Sequence, residues 1–128
     1  MQRDPSLTDD DYTLSKRLPD PDADDLARPV IIMAHGFGAS TFEWVEYGAH
    51  AEARGALVSY VLLGGHGRST EAWVQTRWQE WGQPILDEYE ALSDIGYENI
   101  SIYASSTGCT LALEHLSAGR FDDLTPLN

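Results

Sequence analysis

The chain has 128 residues, a formal charge of −13, and one lysine, Lys16, beside seven arginines. That balance argues against a nucleic-acid partner, because phosphate binding calls for a basic surface. No apolar run approaches the ~18–20 residues of a membrane span, and a single cysteine, Cys109, excludes an intrachain disulfide and fits a reducing, cytoplasmic compartment.

Residues 1–28 hold eight aspartates and the break Pro19-Asp20-Pro21-Asp22, so they are expected to be an acidic leader, mostly loop. They lack the positive-then-apolar layout of a secretory signal. Tyr12-Thr13-Leu14-Ser15 could form a short edge strand. The aspartates lack the glycine and terminal glutamate of an EF-hand loop, which favours a solvated linker over a calcium site.

Residues 29–128 are expected to form one α/β unit. Val30-Ile31-Ile32-Met33-Ala34 is a continuous apolar run, as in a strand buried on both faces, and it ends in His35-Gly36-Phe37-Gly38. Residues 42–54 have helical spacing through Trp44, Tyr47 and Ala51, with Gly55 as the C-cap. A second apolar run, residues 56–63, ends in Gly64-Gly65-His66-Gly67. The tryptophans Trp73, Trp78 and Trp81 suit either an acyl-pocket wall or a cover for the sheet, the second being favoured. Pro84 is tolerated only near a helix start, so the next helix is placed to begin between Gln79 and Gly82. Its apolar face is Trp81, Ile85, Tyr89 and Leu92, with Glu88 outward and Gly96 as the stop.

A third β-rich run, Ile100-Ser101-Ile102-Tyr103, leads into Ala104-Ser105-Ser106-Thr107-Gly108, and helical spacing follows over residues 109–116. A serine on a sharp strand-to-helix turn is exposed as a nucleophile, and the turn needs small residues two before and two after it. Ala104 and Gly108 meet that need around Ser106. Ser105 would be flanked by the bulky Tyr103. Taken alone, the pentapeptide also fits a polar turn before an N-capped helix. Strands alternating with helices imply right-handed crossovers and a parallel sheet.

With these three motifs in this order, the chain resembles the α/β-hydrolase superfamily over residues 29–120. His35-Gly36-Phe37-Gly38 is similar to the oxyanion loop after the family's third strand. Gly65-His66-Gly67-Arg68-Ser69 is similar to the segment after the fourth, and Ala104 to Gly108 to the nucleophile elbow after the fifth. The short glycine loop is similar to that of carboxylesterases, monoacylglycerol lipases and serine aminopeptidase-like hydrolases. The resemblance implies a partial α/β-hydrolase fold, strands 3–5 of the family with flanking helices. It further implies a serine hydrolase of carboxylic esters or related acyl compounds, acting through an acyl-enzyme at Ser106. The N–H groups of Phe37 and Thr107 would hold the oxyanion, and His35, Gly36, Gly38, Ala104 and Gly108 would shape the loops.

No cofactor is expected. Gly64-Gly65-His66-Gly67 lacks the lysine and spacing of a phosphate loop. His35, His66 and His115 show no short metal-ligand spacing, so no zinc site is expected either. His35 and His66 are expected to anchor loops.

The only histidine after Ser106 is His115, nine positions along a helix and so about 13 Å away at 1.5 Å per residue. A triad in the order serine, acid, histidine is therefore not present in the sequence. The chain is expected to be the N-terminal half of a longer hydrolase, inactive and unstable when isolated. Its partner would be the missing C-terminal half, or other copies of itself supplying His115 or His50 in trans. A non-catalytic, partner-binding remnant is the alternative.

Overall fold

The structure is a computed structural model that describes residues 20–67 and 69–121. The first described element is a short helix, α1 (Ala23–Ala27), inside the segment expected to be loop. Its cause is local. The Asp22 side chain accepts the Asp25 N–H and Asp25 reciprocates toward the Asp22 N–H, which satisfies two otherwise orphaned donors. Tyr12 to Ser15 and the seven terminal residues lie outside the described part.

Strands β1 (Val30–Ala34), β2 (Leu57–Val61) and β3 (Ile100–Ala104) form one parallel sheet in the order β2-β1-β3. The register pairs Val30 with both Leu57 and Ile100, and Ala34 with both Val61 and Ala104. As expected for a strand with neighbours on both sides, every residue of β1 is buried. The side chains alternate between two cores. Ile31, Met33, Val58 and Tyr60 face one layer, in which Trp44 and Ala51 pack. Val30, Ile32, Leu57 and Val61 face the other, against Ile85, Leu86, Tyr89, Leu92 and Leu111. Each fully buried aliphatic side chain contributes roughly 1.5–3 kcal/mol.

The first layer is a 3-10 turn, Thr41–Trp44, running into helix α2 (Val45–Ala53). The sequence placed Tyr47 on the inner face of this helix, but Tyr47 is exposed and Gly48 is buried. A side chain at Gly48 would collide with the Tyr60 ring, so the helix meets the sheet through its smallest residue.

The other layer consists of α3 (Thr70–Gln75), α4 (Trp78–Ile95) and α5 (Thr107–Ser117). Helix α4 starts earlier than expected, at Trp78, which leaves Pro84 inside it. Proline removes the hydrogen bond to the carbonyl four residues back, that of Glu80. At this place the helix is met by Gly64, whose N–H donates to the Trp81 carbonyl at 3.1 Å. Glu88 was expected to point outward. It is 1 % exposed, and the Ser59 hydroxyl donates to its Oε1 at 3.0 Å. Gly96, at φ 114°, ends α4 in the left-handed region as expected.

None of the described helices is long and apolar enough to cross a membrane. Strand β3 is an edge of the sheet, and all five of its residues are partly or largely exposed. A groove of about 1050 Å³ runs along it, bounded by Tyr97, Tyr103, Leu113 and Phe121.

Candidate active site

The carboxyl ends of β1 and β3 lie side by side, and the chain leaves them in two tight turns that touch. At the end of β3, Ser106 has φ 49° and ψ −121°. It is the only non-glycine residue with positive φ among those described. Such a conformation costs about 1–3 kcal/mol and persists only where its surroundings enforce it. Enforcement comes from both sides. Ser105 N–H donates to the Ala34 carbonyl at 3.1 Å, and Gly108 N–H donates back to the Ser105 carbonyl at 2.9 Å. The Ser106 side chain is left exposed at the head of α5.

Gly108 is required for a reason other than crowding within the bend. A methyl there would fall against the Ala34 and His35 carbonyl oxygens of the neighbouring strand end. Ala104, in register with Ala34, keeps the strand end equally slim. Gly36 also makes room: its Cβ position lies 3.4 Å from Ser106 Cβ, so the loop after β1 rests on the turn at Ser106. Of the two loop glycines, only Gly38 uses the freedom to take positive φ, at 70°. Neither Phe37 N–H nor Thr107 N–H is given to a backbone acceptor among the described residues. Both donors stand next to the Ser106 turn and are free.

His35 and His66 anchor loops. His35 is fully buried; its Nδ1 donates to the Gly36 carbonyl at 2.8 Å and its Nε2 accepts the Leu63 N–H at 3.0 Å. That pattern fixes the neutral tautomer and ties the end of β1 to the end of β2. Burial lowers the His35 pKa from its ordinary value of 6.5, and the nearby His66 pushes the same way. The Gly36 bond and the Glu43 carboxylate oppose them. His66 Nδ1 sits 3.0 Å from the Gly64 carbonyl. His115 is held by the Gly82 carbonyl, 2.8 Å from its Nε2, beneath α4 and away from the elbow. No group of three or more potential metal ligands occurs among the described residues.

Because native His35 resists protonation, the unfolded chain takes up a proton below pH 6.5 that the folded protein refuses. The His35 contribution to stability is therefore complete above pH 6.5 and is lost as pH falls from there to the lowered native pKa. Urea midpoints measured between about pH 5 and 8 should decline on the acid side. A His35→Gln variant, which keeps an acceptor for Leu63, should show a shallower decline.

Of the tryptophans, Trp81 packs against the core on the sheet as favoured, whereas Trp73 and Trp78 do not belong to that core. Trp73 and Trp81 stack at 6.0 Å and 14°, and the Phe37 ring meets them at 5.0 and 5.8 Å. Both are only partly buried, and Phe37 is 55 % exposed. An aromatic wall therefore stands beside the loop that carries the free Phe37 N–H. Trp78 is apart from it and largely exposed.

Glu43 was not anticipated as a site residue. Its Oε2 accepts the Gly36 N–H at 2.8 Å and its Oε1 accepts the Ser105 hydroxyl at 2.7 Å. A signal existed: Ser40-Thr41-Phe42-Glu43 has the spacing of a capping box. Ser40 does cap, accepting Phe42 N–H at 3.4 Å, but the glutamate reaches past Ser40 to the loop.

No protein-family profile matches the sequence. Over 84 residues, 66 % of this chain, it is 30 % identical to a carboxylesterase of Bacillus subtilis strain 168 and covers 34 % of that protein. In three dimensions it is similar to a solved structure from work on two metagenome-derived lipolytic enzymes, LipS and LipT. The TM-score is 0.60 with 20 % identity over 72 % of this chain and 37 % of the solved one. The chain thus spans about a third of the length of either relative. Its three-stranded parallel sheet with flanking helices is the α/β-hydrolase fold of the lipolytic neighbour, over the part that neighbour covers.

Proposed function

We propose that the chain supplies the nucleophile and the oxyanion hole of a serine hydrolase for carboxylic esters, of the carboxylesterase-like branch. The observation that carries this reading is the conformation of Ser106: strained, exposed, and facing a loop with an unused N–H. The carboxylesterase relative and the lipolytic neighbour support the same chemistry. Ser106 Oγ attacks the ester carbonyl carbon and its proton passes to a base. The electron pair displaced onto oxygen is held by Phe37 and Thr107 N–H, each such donor contributing about 3–4 kcal/mol in the transition state. Collapse, with the base returning that proton to the leaving oxygen, releases the alcohol and leaves an acyl group on Ser106, which water then removes as the carboxylic acid. The aromatic wall of Phe37, Trp73 and Trp81 suits an apolar acyl or alcohol group.

No histidine among the described residues is hydrogen-bonded to Ser106. His35 and His115 have their ring nitrogens engaged, and neither partner is Ser106. In this reading the base and its acid come from outside the described residues.

A fluorophosphonate probe, which reacts only with an activated serine, tests the proposal on the protein as its gene encodes it. Adduct mass is expected on the peptide that contains Ser106, and none in Ser106→Ala. If the wild-type protein takes no label, the non-catalytic, partner-binding reading replaces this one.

A further inference from the structure

We propose that Glu43 is the positioning residue that sets the distance between the two halves of the oxyanion hole. This rests on the serine-hydrolase reading of Ser106. The two free N–H donors belong to separate segments, Phe37 to the loop after β1 and Thr107 to the elbow after β3. No backbone hydrogen bond joins the Gly36-Phe37-Gly38 segment to residues 105–107 among the described residues. What joins them is one carboxylate. Glu43 Oε2 holds the N–H of Gly36, the residue before Phe37, and Oε1 holds the hydroxyl of Ser105, the residue before Ser106.

The carboxylate is itself fixed from behind. Glu43 lies in the 3-10 turn, whose last residue, Trp44, donates its indole N–H to the Ala34 carbonyl at 2.9 Å. That carbonyl also accepts the Ser105 N–H. Turn, loop and elbow therefore share one reference point, the last residue of β1. With Glu43 removed, only the contact across Gly36 would keep the loop on the elbow, and contact alone does not fix an angle. Displacement of a catalytic donor by about 1 Å costs on the order of 100-fold in rate.

Geometry rather than charge is the proposed contribution, and the amide isostere separates the two. In Glu43→Gln the amide oxygen still accepts from Gly36 N–H, and the amide N–H₂ donates to Ser105 Oγ, which can accept. In Glu43→Ala both links are gone. With the protein as its gene encodes it and p-nitrophenyl acetate as substrate, Glu43→Ala should lower kcat by about 30- to 100-fold with KM within about threefold. Glu43→Gln should stay within about fivefold of wild type. Ser105→Ala, which removes one link, should fall between, and adding it to Glu43→Ala should cost little more.

Equal losses in Gln and Ala would overturn the proposal, since charge would then be the cause. So would a kcat in Glu43→Ala within twofold of wild type, or a loss expressed in KM alone. Amide hydrogen exchange supplies a readout free of catalysis. Exchange at Gly36 and Phe37 should quicken at least tenfold in Glu43→Ala and not in Glu43→Gln; unchanged exchange in Glu43→Ala would also overturn it. Failure of the serine-hydrolase reading is seen separately, as turnover that survives Ser106→Ala.

Discussion

Replacing Ser106 by glycine is expected to make the protein more stable, by about 1 kcal/mol, while ester hydrolysis falls at least ~10⁴-fold. The two effects have one origin. At φ 49° and ψ −121° a serine Cβ sits in a region that only glycine enters freely, and relief of that strain is worth about 1–3 kcal/mol. Against it stands the greater entropy of glycine in the unfolded chain, about 0.5–1 kcal/mol. The remainder favours the variant. Ser106→Ala loses the hydroxyl but keeps the Cβ, so it should be as inactive and no more stable than the parent. Urea unfolding of the three proteins, with hydrolysis of p-nitrophenyl acetate, checks both halves. A Ser106→Gly variant less stable than Ser106→Ala would mean that the turn holds serine without strain.

Gly108→Ala should destabilise by about 3 kcal/mol and lower kcat by roughly 100-fold. In an ordinary helix the same change is stabilising by about 1 kcal/mol, so the sign is diagnostic. The added methyl would meet the His35 and Ala34 carbonyl oxygens and lie 3.1 Å from the Ala34 carbonyl carbon. These are backbone atoms at the end of a strand paired on both sides, and they cannot move without shifting the ladder. Helix α5 must retreat instead, and the Thr107 N–H retreats with it. Gly119→Ala is the matched control. Its φ of 73° makes alanine unfavourable, but nothing stands within 4 Å, so a loss of only about 1 kcal/mol is expected. Thermal unfolding of the two variants separates crowding from backbone preference.

Much of the fold was legible because two of its three described strands, β1 and β2, are buried throughout. Val30 to Ala34 could be read without knowing any partner, since an uninterrupted apolar run of that length has few other uses. The need for small residues around the turn at Ser106 was legible, although the constraint on Gly108 lies at the end of β1 rather than in the bend. What escaped were residues whose roles depend on a distant partner. Glu88 sits where helical periodicity expects a solvated acid, and its partner Ser59 lies on β2, far away in the sequence. Tyr47 and Gly48 exchange inside and outside because Tyr60 fills the space that a side chain on α2 would occupy. Glu43 has the spacing of a cap, and its partners, Gly36 and Ser105, are 7 and 62 positions away. Pattern reading finds what a residue does for its own element and misses what it does for another.

The strand order carries a consequence of its own. From β1 the chain turns toward the layer of α2, whereas from its neighbour β3 it turns toward the layer of α5. Two adjacent strands that send their continuations to opposite sides leave a cleft between them that no side chain has to open. A hollow beside Ser106 would therefore be a property of the route taken by the backbone. Substitutions at Phe37, Trp73 or Trp81 would change what the hollow prefers to hold without closing it. The backbone route precedes, in structural terms, any particular chemistry installed on it.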